Sequence, residues 1–112
     1  MDELTARVRA FAEERDWQQF HTPKNLAMAL AGEVGKLLAE FQWLTPEQAA
    51  TVMDDPEAGA RVKAEIGDVT IYLTRLADVL GIDLSEAALT KLDEVATRYP
   101  IVETRGSPKS AR

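Results

Sequence analysis

The sequence predicts an all-α domain, an antiparallel four-helix-bundle-like fold with one short extra helix. Three observations support this prediction. Apolar residues recur at helical spacing, runs of alternating β-branched residues are almost absent, and helix start and stop signals divide the chain into successive segments. The connections between these segments are short, which favours antiparallel neighbours in a helical bundle.

The first two predicted helices occupy the N-terminal third of the chain. A helix over about residues 2–15 is predicted because its apolar residues recur at helical spacing: Leu4, Val8, Phe11 and Ala12. Residues 16–21 form a connector. Thr22 and Pro23 then begin a second helix, because threonine caps the first turn and proline has no N–H to lose there. This helix is expected to run to about Phe41 with an apolar face, formed by Leu26, Leu30, Val34, Leu37 and Phe41.

The short extra helix is predicted after Thr45 and Pro46. Gln48 is placed to close a capping box with Thr45, in which each residue's side chain bonds the other's backbone N–H. This helix is expected to end near Met53.

Two longer helices complete the predicted fold. Asp55 precedes a proline and begins a long helix that ends near Gly81, because glycine is the usual residue just after a helix C-terminus. Asp83 caps a last helix that runs to about Arg98, and Pro100 stops it.

Composition and charge exclude several classes of function. The chain has 112 residues, 46 % of them apolar, which predicts one domain over residues 1–104 and a mobile tail over 105–112. Without cysteine it can form neither disulfides nor thiolate zinc sites, which fits a cytoplasmic location. The net charge of −6 disfavours binding to a nucleic-acid polymer, and no segment approaches the roughly 20 apolar residues of a membrane span.

Two of the predicted helices carry the same local pattern, Glu-x-Gly, beside their apolar faces. Glu33 occupies this position in one helix and Glu65 in the other, where Asp68 follows three residues later. Carboxylates at matching offsets on two helices can meet at one cation, and an oxygen-only cluster suits Mg²⁺ or Mn²⁺. We interpret the paired glycines, Gly35 and Gly67, as letting the helices approach closely. The alternative interpretation is that these acids are solvated residues at the edge of an amphipathic face.

Four ring-bearing residues allow two interpretations. Aromatic residues at helix ends belong more often to a core or an interface than to a base-stacking pocket, and a single histidine is more often structural than a ligand. Spacing alone leaves both interpretations open for Trp17, His21, Trp43 and Tyr72.

Several segments resemble a known family, the MazG-like nucleotide pyrophosphohydrolases, and within it the dCTP pyrophosphatase branch. The similar segments cover nearly the whole chain and occur in the family's order: FAEERDWQQFH, PKNL, GEVG, FQW, EIGDVTIYL, LA, LGIDL, KL and RYP.

The resemblance implies an all-α enzyme that cleaves an NTP or dNTP to the monophosphate and pyrophosphate with Mg²⁺. It implies a homodimer or homotetramer that binds a small-molecule nucleotide. In the family, a Glu-x-x-Glu and a Glu-x-x-Asp motif hold the metal, so the implied metal-binding and catalytic acids here are Glu33, Glu65 and Asp68. The residues implied to line the nucleotide pocket are Trp17, His21, Asn25, Trp43 and Tyr72.

Two departures from the family pattern affect these expectations. Lys36 stands where the second glutamate of Glu-x-x-Glu is expected, and Val95 replaces an asparagine. An ammonium group about 5 Å from a divalent cation opposes metal binding by several kcal/mol at an effective dielectric of about 20. A lysine that swings out to pair with Glu40, four residues on, would weaken that opposition. The sequence therefore predicts a Mg²⁺-dependent pyrophosphohydrolase impaired by Lys36, or alternatively a weakly active or inactive relative that binds nucleotides or a protein partner.

Overall fold

A computed structural model describes residues 2–106, and every regular element in that range is a helix, as predicted. The elements are α1 (Asp2–Glu14), α2 (Pro23–Ala39), α3 (Pro46–Ala50), a 3₁₀ turn (Val52–Asp54), α4 (Pro56–Val79), α5 (Leu84–Arg98) and α6 (Ile101–Thr104). The described residues form two compact units, one ending at Ile82 and the other beginning at Asp83. None of the helices within residues 2–106 is long and apolar enough to cross a membrane.

The predicted helix starts are confirmed by their capping bonds. Thr22 accepts the Asn25 N–H at 3.2 Å, and Thr45 forms both bonds of the capping box with Gln48, at 2.9 and 3.1 Å. Asp55 and Asp83 cap α4 and α5 through their carboxylates. The starts of these four helices, α2 to α5, are thus fixed by residues within one turn of each.

Three element boundaries differ from the predictions. Helix α2 ends at Ala39 rather than near Phe41, because residues 40–44 form turns. Helix α3 ends at Ala50 and is followed by the separate 3₁₀ turn. Pro100 stops α5 as predicted but also begins α6, since its φ of −61° suits a helix start. Of the predicted tail over 105–112, residues 107–112 lie outside the described range.

Helices α1, α2 and α4 make up most of the first unit. Glu40 near the end of α2 bonds Arg61 near the start of α4 at 3.0 Å, while Glu33 lies beside Glu65 further along. Residue numbers therefore fall along α2, from Glu40 to Glu33, in the direction in which they rise along α4, from Arg61 to Glu65. The two helices are antiparallel. Helix α1 is tied to the far end of α4, where Arg9 bonds Asp78.

The first unit has a small core and a large uncovered apolar surface. Its fully buried apolar residues are few and mostly small: Ala12, Leu26, Val62 and Ala77. Val34, whose spacing places it on the predicted apolar face of α2, is 46 % exposed, and Ile66 on α4 is 51 % exposed. That prediction of burial is wrong for the isolated chain. A helix with apolar residues on more than one side is ordinarily covered on more than one side.

The second unit contains α5 and α6. On α5, the Glu94 carboxylate accepts hydrogen bonds from Lys91 and Arg98, both at 3.1 Å. Leu89 and Leu92 of the same helix are exposed.

Candidate metal centre

Three acidic side chains from α2 and α4 converge in the first unit. Glu33, Glu65 and Asp68 each offer a carboxylate oxygen, and the three oxygens lie within 4.8 Å of one another. The antiparallel pairing places the middle of α2 beside the middle of α4, so acids at matching offsets meet. The two predicted Glu-x-Gly helices therefore do face each other at their acids.

The role predicted for the two glycines is wrong. A Cβ atom built on Gly35 or on Gly67 would meet nothing within 4 Å. At about 100° per residue, each glycine lies roughly 200° around its helix from the glutamate two positions earlier, so it faces away from the acids. Neither glycine is needed for the contact between α2 and α4 within one chain.

The acids are held close together without enough hydrogen-bond donors. The Oε2 atoms of Glu33 and Glu65 are buried and have no hydrogen-bond partner within the described residues. Burial, together with the charges of Glu33 and Asp68, raises the pKa of the Glu65 carboxyl, while Lys36 acts in the opposite sense. Buried carboxylate oxygens without donors fit a hard cation such as Mg²⁺, which carboxylate oxygens ligate.

Lys36 is bound to this cluster rather than turned away from it. Its Nζ atom donates to Glu33 Oε1 at 3.3 Å, although the lysine side chain is 63 % exposed. The bond to Glu33 and that residue's charge raise the pKa of Lys36, with smaller effects from Glu65 and Asp68. The expected pairing of Lys36 with Glu40 is not found, because Glu40 accepts from Arg61 instead.

Two of the predicted nucleotide-pocket residues lie toward the C-terminal end of α4. Tyr72 is one turn beyond Asp68, and His21 accepts a hydrogen bond from Arg75 at 3.0 Å. Arg75 lies about 10 Å along the helix axis from Asp68. A ligand that reaches from the acids to His21 would therefore run along α4 past Tyr72.

The connector between α1 and α2 supplies Trp17, and the first turn of α2 supplies Asn25. The Trp17 ring meets His21 edge-on at 6.1 Å between ring centres. The Asn25 side-chain amide donates to the Phe20 carbonyl at 3.1 Å. Trp17 and Asn25 thus lie on either side of His21 in sequence, and both contribute to the local structure around it.

Trp43 is not brought together with the others in one chain. It follows Glu40 in the turn after α2, and Glu40 is bonded to Arg61. Arg61 and Tyr72 lie about 16 Å apart along α4. Trp43 is 86 % exposed at this opposite end of the helix pair.

Val95, the second departure from the family pattern, lies on α5 in the second unit.

Three residues that bear on His21 were not predicted from the sequence. Arg75 and Asp78 face each other one turn apart on α4, and Arg9 reaches Asp78 from α1. The spacing of Arg75 and Asp78 is a detectable signal for a helical ion pair. The contact from Arg9 spans 69 positions, so no local pattern indicates it.

Comparison with known proteins gives consistent matches. The family model described as the MazG-like family matches residues 30–112. dCTP pyrophosphatase 1 from Bos taurus is 45 % identical over 97 residues, which is 87 % of this chain, and the Homo sapiens protein is 44 % identical over 99 residues, or 88 %. A crystal structure of a pyrophosphatase from Archaeoglobus fulgidus superposes with a TM-score of 0.82 at 39 % identity, covering 89 % of this chain and 92 % of that one.

The relatives differ in how much of their length is matched. The chain spans 57 % of the Bos taurus protein and 58 % of the Homo sapiens protein. The Archaeoglobus fulgidus structure, matched over nearly all of its length, confirms that the helical fold is that of a solved pyrophosphatase.

Proposed function

The chain belongs to the MazG-like family, and on that premise we propose that it is a Mg²⁺-dependent nucleoside triphosphate pyrophosphohydrolase. The reaction would convert an NTP or dNTP to the monophosphate and pyrophosphate. One observation carries the proposal: three carboxylates from α2 and α4 meet within 4.8 Å, with two buried oxygens lacking a donor. The pyrophosphatase names of its relatives support the same reaction class.

The acids would act as the metal-binding group. Glu33, Glu65 and Asp68 would hold Mg²⁺ or Mn²⁺, which supplies positive charge for the phosphates and an activated water when bound. The nucleoside would be bound by His21, Trp17, Asn25 and Tyr72, since Arg75, which bonds His21, lies about 10 Å along α4 from Asp68. In this arrangement the phosphates would lie at the acids and the base at the connector.

The substrate is tested by turnover against all common dNTPs and NTPs. Because the relatives are named for dCTP, we expect dCTP to be among the best substrates. Equal, very slow turnover of every nucleotide would contradict a specific nucleotide pocket.

A second candidate is a relative that binds nucleotides without turning them over. The bond from Lys36 to Glu33 favours this candidate, because an ammonium group there can neutralise the acids in place of a metal ion. Calorimetry distinguishes the two candidates. The enzyme should bind a dNTP only with Mg²⁺, whereas the metal-independent binder should bind it equally well in EDTA.

We further propose that the chain forms a homodimer, or a tetramer built from such dimers, through the uncovered side of α2. Met28, Val34 and Leu38 are exposed there, and Gly35 lies on the same side, where an added Cβ would meet nothing within 4 Å. This stripe is centred near residue 33. A two-fold antiparallel contact about that centre would set residue 43 of one copy opposite residue 23 of the other, so Trp43 of the partner subunit would reach the His21 end of the site.

The first prediction from this proposal concerns assembly. Sedimentation of the wild type at micromolar concentration should give a dimer or larger species, because such a small monomer core is marginal. Leu38→Glu should shift the protein toward monomer, since it buries a charge in the contact. Val102→Glu, which alters a residue that is 96 % exposed on α6, serves as the control. A wild-type monomer would contradict the proposal.

The second prediction concerns Trp43. Trp43→Ala should weaken dNTP binding by roughly 1–3 kcal/mol, the range for stacking of a base on an aromatic ring. Mixing Trp43→Ala with Glu65→Gln should restore turnover, because one site in each mixed dimer would have an intact tryptophan and intact acids. If Trp43 acts within its own chain, mixing should restore nothing.

A further inference from the structure

One hydrogen-bonded chain of side chains joins α1, the connector before α2, and α4. The Arg75 Nε atom donates to His21 Nδ1 at 3.0 Å, and its Nη1 atom donates to Asp78 Oδ2 at 3.3 Å. Arg9 donates to both oxygens of the same carboxylate, at 2.9 Å from Nε and 2.6 Å from Nη2. Arg75 is only 6 % exposed, so its charge lies in the interior of the first unit.

These hydrogen bonds determine which nitrogen of His21 carries the proton. A guanidinium group stays protonated and can only donate, so the nitrogen that accepts from it must be unprotonated. The neutral imidazole must therefore carry its proton on Nε2. Burial and then the charge of Arg75 lower the pKa of His21, which also favours the neutral ring.

Other charged groups near His21 do not oppose this state. Arg75 and Asp78 face it from α4, and Arg9 reaches Asp78 from α1. On the connector itself, the Asp16 carboxylate is contacted by the Gln19 amide at 3.5 Å. No acid contacts the imidazole among the described residues, so none stabilises its protonated form directly.

The Arg75 contact with His21 is not needed to neutralise Asp78. That carboxylate already receives two hydrogen bonds from Arg9, a geometry that pairs charges strongly. The interaction that only Arg75 supplies is the bond to Nδ1. A buried arginine is costly unless its donors are used, and here one donor is used to orient the ring proposed to lie at the base end of the site.

We propose that Arg75 is a positioning residue, which fixes His21 as a neutral ring whose Nε2–H donates to an acceptor atom on the nucleobase. This inference rests on the proposed function. It defines a ligand class: a base whose bound edge offers a carbonyl oxygen or an unprotonated ring nitrogen, such as the O2 and N3 atoms of cytosine. A base with a protonated ring nitrogen or an amino group at that edge would place a second donor against the His21 Nε2–H and could not accept its hydrogen bond.

The proton position can be measured directly because His21 is the only histidine in the chain. Nitrogen-15 NMR of the full chain, without an affinity tag, should show the Nε2–H form and an imidazole pKa below the ordinary value. Arg75→Met should yield a mixture of both neutral forms and a raised pKa. Arg98→Met, which removes an arginine from an ion pair on α5, should leave the His21 signals unchanged.

Nucleotide binding tests the second half of the proposal. Arg75→Met should raise the KM for dCTP about tenfold, the value of one ordinary hydrogen bond, while kcat changes less than about threefold. Arg75→Lys, which keeps a donor, should recover part of the loss. An α,β-imido analogue of dCTP should shift the Nε2 proton signal of the wild type.

Each outcome decides a separate point. An Nδ1–H form in the wild type, or unchanged tautomer and KM in Arg75→Met, overturns the role of Arg75. If Arg75→Met fails to fold, the wild-type measurements remain decisive: an Nε2 signal unmoved by the bound analogue overturns the contact with the base. If the analogue binds and shifts the signal but no NTP is hydrolysed, the proposed function fails while the positioning role stands.

Discussion

Replacing Glu65 with glutamine is expected to lower Mg²⁺-dependent turnover by on the order of a hundredfold or more, since loss of a residue that merely supports a metal ligand costs about 10–100-fold. The same substitution should raise the melting temperature of the metal-free protein. Glu65 lies within 4.8 Å of two other acids and has a buried oxygen with no donor, so removing its charge relieves repulsion. Activity and stability should thus change in opposite directions.

Melting temperature with and without Mg²⁺, measured beside pyrophosphate release, tests this expectation. Mg²⁺ should stabilise the wild type by binding its folded state and should have a smaller effect on Glu65→Gln. Glu47→Gln, on the exposed surface of α3, is the matched control and should change neither quantity appreciably. Loss of both activity and stability in Glu65→Gln would instead identify Glu65 as a structural residue.

Replacing Lys36 with glutamate is expected to tighten Mg²⁺ binding and increase turnover. The present group of three acids and one base has a formal charge of −2, and the substitution makes it −4. Even at the dielectric of water, changing two charge units about 5 Å from a divalent cation is worth about 3 kcal/mol, or more than about a hundredfold in affinity. The substitution also releases Glu33 Oε1 from the lysine.

The cost of this substitution should appear without metal. A fourth carboxylate would repel Glu33, Glu65 and Asp68, so the metal-free variant should melt below the wild type, and Mg²⁺ should restore its stability. Lys63→Glu makes the same charge change on α4, about 160° around the helix from Glu65. It should leave metal affinity nearly unchanged. If Lys36→Glu behaves like this control, Lys36 does not impair the site.

Features set by neighbouring residues could be predicted from the sequence. The caps at Thr22 and Thr45 depend on groups within one turn, and both form as expected. The meeting of Glu33 with Glu65 was predictable because each acid keeps the same offset from the apolar face of its helix. Antiparallel pairing then brings equal offsets together.

Features set by rotamers or by distant residues could not be predicted in this way. A lysine at position 36 has acids within reach on both sides, and only the three-dimensional arrangement shows that it pairs with Glu33. The hydrogen bond from Arg9 to Asp78 joins residues near the beginning and the end of the first unit's sequence, so no local sequence pattern indicates it. The exposure of Val34 similarly depends on which helices cover α2, and a periodic pattern does not contain that information.

In the proposed function, the acids of α2 and α4 support metal-dependent cleavage between the α- and β-phosphates. This cleavage can be observed by incubating the wild type with dCTP and Mg²⁺ and resolving the products by phosphorus-31 NMR. The expected products are dCMP and pyrophosphate in equal amounts, with no reaction in EDTA and a much slower reaction in Glu65→Gln. Release of dCDP and inorganic phosphate would contradict this reaction, and so would intact dCTP with wild-type protein that binds it equally well without Mg²⁺.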